Sequence, residues 1–298
     1  MTVTDGGQKT RDPFEELLSV LELRPEGLDD RGQDLFVGES QQQPHGRVFG
    51  GQVLGQTVVA AGRTVPQGRQ LHSMHGYFLR PGDAMAPITF AVERLRDGRS
   101  FSARRVHAIQ FGKPILSMIA SFQEPAEGLD HQDEMPAGVP DPESLPSARE
   151  LLGHIDHPMA QGWALRRPID IRHVDQPLYL KGDSSRQARQ AVWMRANGRL
   201  PADDLVNRAV LAYASDYTLL EVVLRRHGIA WTQPGLRMAS LDHAMWWHRP
   251  VRADEWLLFV QGTPSASGAR GLGIARVFDT DGVLVASIAQ EGMIRVPR

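Results

Sequence analysis

The side chains that could do chemistry in this sequence are hydroxyls, histidines, carboxylates and amides, because none of its 298 residues is cysteine. Disulfides, thiolate metal sites and a cysteine nucleophile are therefore excluded. The sequence has no Gly-x-Ser-x-Gly or phosphate-loop pattern, which disfavours an α/β-type serine hydrolase and a nucleotide loop. His72 and His75 would face opposite sides of a strand, so we expect no metal site, and we expect no cofactor.

A group of polar residues in the C-terminal half remains as the candidate site. Asp216 is predicted to begin a helix, where the positive end of the helix dipole favours an ionised carboxylate, although an N-cap role explains its position equally well. Ser240 and Asp242 share one face of a predicted strand and His243 lies on the other, which is poor geometry for a Ser-His-Asp relay. Gln290 ends the last predicted strand, where a glutamine is ordinarily an exposed surface residue.

Two similar series of elements must position these side chains. In each series, a segment with helical spacing of apolar residues, 48–65 or 215–228, precedes four predicted strands. The strands of the first series are 71–79, 88–95, 100–110 and 114–123, and those of the second are 239–248, 256–261, 271–278 and 283–290. Short strands at 34–40 and 169–175 are predicted to open the two units. The helices repeat at an offset of 165 residues and the strands at an offset of 169.

A helix packed on a meander of antiparallel strands is an α+β unit, and two such units joined edge to edge form one long curved sheet. This arrangement is the double hot-dog fold. We expect an N-terminal unit at 1–123, a proline-rich acidic linker at 124–160 with at most a short helix, and a C-terminal unit at 161–298. The candidate polar residues all fall in the C-terminal unit.

Composition and charge limit the partners of the chain. It has 33 Lys and Arg against 35 Asp and Glu, a formal net charge of −2, so nothing draws it generally to nucleic acid or to an anionic membrane. It has no apolar run of the roughly 18 residues that a membrane span requires, and its N-terminus lacks the apolar core of a signal peptide. We therefore expect a soluble, cytoplasmic protein that binds neither nucleic acid nor membrane.

Five segments together carry a resemblance to a known family: 47–56 (RVFGGQVLGQ), 71–83 (LHSMHGYFLRPGD), 211–216 (LAYASD), 239–250 (ASLDHAMWWHRP) and 286–292 (ASIAQEG). In their order and spacing they resemble the acyl-CoA thioesterase II (TesB-like) family. This resemblance implies a double hot-dog fold and hydrolysis of fatty acyl-CoA to free acid and CoA. It also implies that Asp216, Ser240 and Gln290 are catalytic, since by motif they match an Asp, a Thr or Ser and a Gln that hold and activate a water.

Attack by water is chemically reasonable for a thioester, because its carbonyl is activated and its leaving group is good. Asp216 would accept the proton, while Ser240 and Gln290 would fix the water. Backbone N–H groups of the 215–218 turn or of Gly50–Gly51 could stabilise the oxyanion, and both donors stay open. We also expect Gly50 and Gly51 to let the backbone approach the substrate closely, although helix packing explains two glycines as well.

The repeat provides an internal test of how many sites the chain has. At the offsets above, the first-half counterparts of the three catalytic candidates carry none of their functional groups: Gly51, Leu71 and Ser121. We therefore predict one active site per chain, carried by the C-terminal unit, with the N-terminal unit helping to shape the acyl or CoA site.

Two other functions on the same fold stay open, since a fold does not fix a function. A non-catalytic acyl-CoA-binding sensor would have no need to keep the polar set together. A hot-dog enoyl-CoA hydratase would need a histidine a few residues after Asp216, and the residues from Tyr217 to Glu221 include none. Exposed sheet edges and faces favour a homo-oligomer, either a dimer or a tetramer.

Overall fold

The computed structural model describes residues 12–43 and 46–297, and the strands within these ranges form one antiparallel sheet of 13 strands. The strands of the first half are β1 (Arg24–Leu28), β2 (Asp34–Gly38), β3 (Gln70–Phe78), β4 (Ile88–Asp97), β5 (Phe101–Gln110) and β6 (Lys113–Gln123). Those of the second half are β7 (Ile169–His173), β8 (Arg189–Ala196), β9 (Arg237–Ser240), β10 (Asp242–Trp247), β11 (Leu257–Ser267), β12 (Arg270–Phe278) and β13 (Leu284–Arg295).

Six α-helices accompany the sheet in the described part of the chain: α1 (Pro13–Leu21), α2 (Gly50–Gly62), α3 (Ala148–Leu152), α4 (Pro158–Leu165), α5 (Asp204–Ser215) and α6 (Glu221–His227). The proline-rich stretch 124–160 contains a 3-10 turn at Pro142–Ser144, the short α3 and the first residues of α4. None of the helices within residues 12–43 and 46–297 is both long enough and apolar enough to cross a membrane.

The strand order shows how the two halves join. The sheet runs β1-β2-β4-β5-β6-β3-β10-β13-β12-β11-β8-β7, with β9 added beside β13. Each half therefore keeps its strands together, and β3 and β10 form the junction, where Met74 pairs with Met245. The two units make one continuous sheet against which α2, α5 and α6 pack, and the predicted α+β double hot-dog fold is confirmed.

The central helices are held closely together by small residues. In α2, every residue from Gly51 to Ala61 is buried, because α5 covers one side of the helix and the sheet covers the other. A side chain at Gly55 would approach the backbone carbonyl of Ala209 in α5, and one at Gly62 would overlap Leu205. Glycines at these positions allow the two helices to approach at backbone distance.

The helix predicted at 215–228 is wrong at its start. Residues 216–220 form turns, helix α6 begins only at Glu221, and the separate helix α5 precedes the turns. Helix α5 begins where the Asp203 carboxylate accepts hydrogen bonds from two backbone N–H groups of its first turn. It ends as the N–H of Tyr217 bonds to the carbonyl of Ala214, which tightens the last turn.

The internal repeat holds in the structure with one correction. Leu71 pairs with Phe122 between β3 and β6, and Ser240 pairs with Gly292 at the equivalent place between β9 and β13. Ser240 therefore follows Leu71 by 169 residues, whereas Gly292 follows Phe122 by 170. The extra residue lies in the turn before the last strand. Two residues join β5 to β6 after the pairing of Gln110 with Lys113, whereas three, 280–282, separate the corresponding positions before β13. The counterpart of Gln290 is therefore the buried Ala120, not Ser121.

Candidate active site

The structure brings the three predicted polar side chains together. The Nε2 of Gln290 donates to Oδ1 of Asp216 at 2.6 Å and to Oγ of Ser240 at 2.8 Å. The Ser240 hydroxyl donates to the same Oδ1 at 3.3 Å. One amide nitrogen thus holds the hydroxyl and the carboxylate side by side, and each of the three groups contacts the other two.

Asp216 and Ser240 are each placed by a local irregularity of the chain, whereas Gln290 lies in a regular part of β13. Asp216 follows the last residue of α5, at the point where the helix gives way to turns. Ser240 ends β9, and Leu241 separates it from β10 as a bulge-like interruption, with its N–H bonded to the carbonyl of Glu291. Gln290 lies within β13 and is 1% exposed, so it is not the exposed surface residue that a glutamine at a strand end ordinarily is.

The N-terminus of α2, in the first half of the chain, points at the Asp216 carboxylate. The backbone N–H of Gly51 donates to this carboxylate, while the N-cap residue Phe49 provides no side-chain cap. A Cβ at Gly50 would lie 2.6 Å from Oδ2 of Asp216, and a Cβ at Gly51 would overlap the carbonyl oxygen of Tyr213. Both glycines therefore border the candidate site, and only glycine fits at either position.

The charge environment of Asp216 differs from the sequence-based expectation. Burial raises the pKa of its carboxyl group to about 6, and hydrogen bonds from Gln290, Ser240 and Gly51 oppose this rise. The residue lies at the C-terminal end of α5, where the helix dipole disfavours an anion. The helix N-terminus that favours its ionised form belongs to α2 instead.

The carbonyl oxygen of the Gln290 amide is buried and has no hydrogen-bond partner among the described residues. An acceptor in this position is available to a water or a substrate group. The amide therefore offers two functions at once, since its nitrogen fixes the carboxylate and the hydroxyl and its oxygen is left to bind a third group.

The neighbouring histidine does not join the set. His243 is fully buried on the other face of β10, where its Nε2 lies 2.9 Å from Oγ of Ser215. Burial lowers the pKa of His243 to about 3, so its imidazole is neutral near pH 7. Asp242 instead accepts the N–H of Glu291 at 2.7 Å. Ser240, Asp242 and His243 therefore have separate hydrogen-bond partners in this part of the structure.

A cavity of about 110 Å³ opens beside the carboxylate, lined by Asp216, Tyr217, Leu220, Trp231, Met238, Ala239 and Ser240. The Trp231 indole donates to Oε2 of the buried Glu221 at 2.8 Å, and Glu221 also lies 3.0 Å from Nε2 of His173. Sequence reasoning identified neither Tyr217 nor Trp231 as site residues. Tyr217 directly follows Asp216, which is a local signal, whereas Trp231 reaches the cavity only through the tertiary fold.

These elements define a double hot-dog protein of the α+β class in which Asp216, Ser240 and Gln290 form a hydrogen-bonded set beside a cavity. The sequence model described as acyl-CoA thioesterase matches residues 164–293, and that described as acyl-CoA thioesterase N-terminal domain matches residues 39–123. The chain belongs to the acyl-CoA thioesterase family.

Curated relatives and a solved structure agree with this assignment over nearly the full length. The chain is 38% identical to acyl-CoA thioesterase 2 of Haemophilus influenzae, over 95% of this chain and 98% of the relative. It is 41% identical to human acyl-coenzyme A thioesterase 8, over 96% of this chain and 92% of the relative. It also resembles the crystal structure of an acyl-CoA thioesterase II from Mycobacterium marinum, with a TM-score of 0.75, 41% identity and coverage of 95% and 98%.

Proposed function

We propose that this chain hydrolyses fatty acyl-CoA to a free fatty acid and CoA at a single site formed by Asp216, Ser240 and Gln290. The observation that carries this proposal is the Gln290 amide nitrogen, which donates to both of the other groups at 2.6 and 2.8 Å. Membership of the acyl-CoA thioesterase family supports the reaction class.

The reaction begins with a water held between the Asp216 carboxylate and the free Oε1 of Gln290. Asp216 takes one proton as the water oxygen attacks the thioester carbonyl, and the C=O bond opens to an oxyanion. The oxyanion then collapses, the C–S bond breaks, and the sulfur leaves with its electron pair. The proton held by Asp216 passes to the sulfur, which yields CoA thiol and the fatty acid and restores the carboxylate.

The surroundings of Asp216 suit a general base. Its pKa of about 6 keeps it mostly ionised at neutral pH, and its basicity is higher than that of a carboxylate in water. The Ser240 hydroxyl and the Gln290 amide prevent the carboxylate from turning away from the water. The Gly51 N–H, one of the two expected oxyanion donors, is engaged with Asp216 and supports the base instead.

The division of labour between the halves follows from these roles. We assign the catalytic set to a C-terminal unit at 161–298, the linker to 124–160, and the support of the carboxylate to an N-terminal unit at 1–123. Leu220, Trp231 and Met238 give the cavity an apolar wall that suits the first carbons of an acyl chain. The cytoplasmic location and the homo-oligomeric assembly stay predictions.

A thiol-release assay tests the proposal. The purified protein and its Asp216→Asn variant are mixed with acyl-CoAs of several chain lengths, and the freed thiol is measured with a thiol reagent. The chain has no cysteine, so it gives no background signal. We expect turnover by the unaltered protein and a loss of about a hundredfold or more in the variant, as for removal of a general base. Asp281→Asn, in an exposed turn, is the matched control.

The alternatives correspond to distinct outcomes. A folded protein that binds acyl-CoA and releases no thiol would contradict hydrolysis and favour a sensor. Loss of the enoyl absorbance from an enoyl-CoA without thiol release would favour a hydratase. An Asp216→Asn variant as active as the control would leave thioester hydrolysis standing and remove Asp216 from its assigned role.

A further inference from the structure

Three aromatic rings surround the guanidinium group of Arg167. Its guanidinium carbon lies 4.8 Å from the ring centre of Tyr217 and 5.9 Å from those of Trp163 and Tyr179. Its side chain donates one long hydrogen bond, of 3.4 Å, to the Tyr179 hydroxyl. The rings fix the plane of the guanidinium while leaving most of its N–H groups without a protein acceptor.

The fully buried arginines are each neutralised by a carboxylate. The nitrogen–oxygen distances of the three ion pairs are 2.8 Å for Arg104–Asp97, 2.6 Å for Arg208–Asp204 and 2.5 Å for Arg225–Asp183. Arg167 forms no ion pair with any carboxylate of the described residues, although it is half-buried and its rings hold it in place. A fixed cation without an anion on the protein is suited to an anion supplied by a ligand.

The position of Arg167 links this cation to the candidate active site. The ring of Phe49 stacks on Tyr217 with centroids 4.7 Å apart and planes inclined by 25°. Because Phe49 covers one face of the Tyr217 ring, the guanidinium lies over the other. Tyr217 also lines the cavity that contains Asp216. The cation and the cavity in which the thioester would react therefore contact the same ring.

We propose that Arg167 binds a phosphate group of the CoA part of the substrate; this inference rests on the proposed function. The acyl end of the substrate is neutral and apolar, whereas its nucleotide end carries several phosphate charges on a long flexible arm. A guanidinium matches phosphate oxygens with paired N–H donors. With a net charge of −2, the chain as a whole does not attract an anion, so recognition of phosphate requires a local cation.

Two thioesters with the same acyl group separate this role from a structural one. One carries CoA, and the other carries N-acetylcysteamine, which keeps the thioester and lacks every phosphate. In Arg167→Met the apolar stem still covers Tyr217 and the charge is gone. We expect KM for the CoA thioester to rise about tenfold with kcat little changed, as for one charged hydrogen-bonded contact, and both constants for the truncated thioester to stay the same.

Arg166→Met is the matched control, because it removes the same charge from the adjacent, exposed position. It should leave both substrates unaffected. Arg167→Lys keeps the charge without the paired donors and should fall between Arg167→Met and the unaltered protein. An equal loss on both thioesters in Arg167→Met would mean that the guanidinium supports the fold of the site, and would overturn the proposal. No change on either thioester would also overturn it.

Binding of the free product tests the same contact without catalysis. By calorimetry, we expect Arg167→Met to weaken binding of CoA about tenfold and to leave binding of pantetheine unchanged. Dephospho-CoA identifies the phosphate: a variant effect that persists with it points to the diphosphate, and one that disappears points to the 3′-phosphate. Equal CoA affinity in the two proteins would contradict the proposal even if the enzyme hydrolyses acyl-CoA. If the protein did not hydrolyse thioesters but Arg167→Met still bound CoA more weakly than the unaltered protein, only the proposed function would be contradicted.

Discussion

The two halves of the sheet have equivalent strand pairings and opposite chemistry at three matched positions. Where the first half pairs Leu71 with Phe122, the second pairs Ser240 with Gly292. Ala120, which is completely buried in the first half, corresponds to Gln290 in the second. The first half fills these positions with apolar side chains, whereas the second has polar side chains at two of them, Ser240 and Gln290, and a cavity beside Ser240.

The helix of the first half also differs from the corresponding stretch of the second half. In the first half, α2 runs unbroken from Gly50 to Gly62. In the second, the corresponding stretch consists of turns at 216–220 followed by α6. Because turns separate α5 from α6 here, Asp216 lies outside both helices and its side chain faces the N-terminus of α2. The first half has thus kept a helix whose terminal N–H supports a carboxylate that only the second half has.

Among the variants that compare the two halves, replacement of Gln290 by the residue at its first-half counterpart should have the largest effect. Gln290→Ala removes both hydrogen bonds that hold Asp216 and Ser240, together with the free carbonyl oxygen. We expect kcat for acyl-CoA hydrolysis to fall about a hundredfold, the scale on which loss of one preorganised active-site donor acts. Thiol release measures the change, and thermal unfolding confirms that the variant is folded.

Gln110→Ala is the matched control in the first half. Gln110 is also buried, and its amide bonds to the Asp83 and Ala86 backbone carbonyls and to no member of the polar set. This variant should lose stability and keep kcat. If the two glutamine variants lost activity equally, the contrast between the halves would be one of stability and not of catalysis.

Gly51→Ala tests whether the first half supports the site. The new Cβ would overlap the carbonyl oxygen of Tyr213 and lie 2.5 Å from the Phe49 ring, so α2 must shift from α5. We expect unfolding free energy to fall by about 1–3 kcal/mol, as for overpacking, and kcat to fall because the N–H that binds Asp216 moves. Urea unfolding and thiol release measure the two effects.

Gly162→Ala, in the interior of α4, is the control for this glycine. No atom lies within 4 Å of the Cβ that it would gain, and its backbone is helical. It should raise the unfolding free energy by about 0.5–1 kcal/mol and leave kcat unchanged. Activity in Gly51→Ala equal to that in Gly162→Ala would show that the N-terminus of α2 has no part in the reaction.

Strands β3 to β6 were predictable because their signals are local, whereas β1 and β8 were not predicted and β13 continues past the predicted end at residue 290. Alternating residues and turn glycines predicted β3 to β6 within two residues of their observed ends. Helix α5 was not predicted, since residues Asn207 to Ser215 are all buried and the helix has no solvent-exposed face beyond its first turn. The partner of Asp216 was also assigned wrongly, because a helix N-terminus from the other half reaches it only through the tertiary fold.

The smallest predicted effect concerns the pH dependence set by Ser240. Because Asp216 must be ionised to accept a proton and its pKa is about 6, kcat/KM should rise with pH through about 6 and then level off. The Ser240 hydroxyl stabilises the carboxylate through a long hydrogen bond of 3.3 Å. Ser240→Ala removes this donor, so the pKa of Asp216 should rise and the midpoint should move to higher pH by less than about one unit.

Ser240→Thr keeps the hydroxyl and should keep the midpoint, which separates the hydrogen bond from the change in side-chain size. The raised pKa of Asp216 also affects the stability of the fold. Stability should fall with rising pH, whereas kcat/KM should increase. The folded protein binds the Asp216 proton more tightly than the unfolded chain does, so this group stabilises the fold at low pH and loses that contribution as pH rises through about 6. Asp216→Asn should abolish this loss. If the pH midpoint of kcat/KM were the same in Ser240→Ala and the unaltered protein, Ser240 would not affect the pKa of Asp216, and its role would be limited to holding the water.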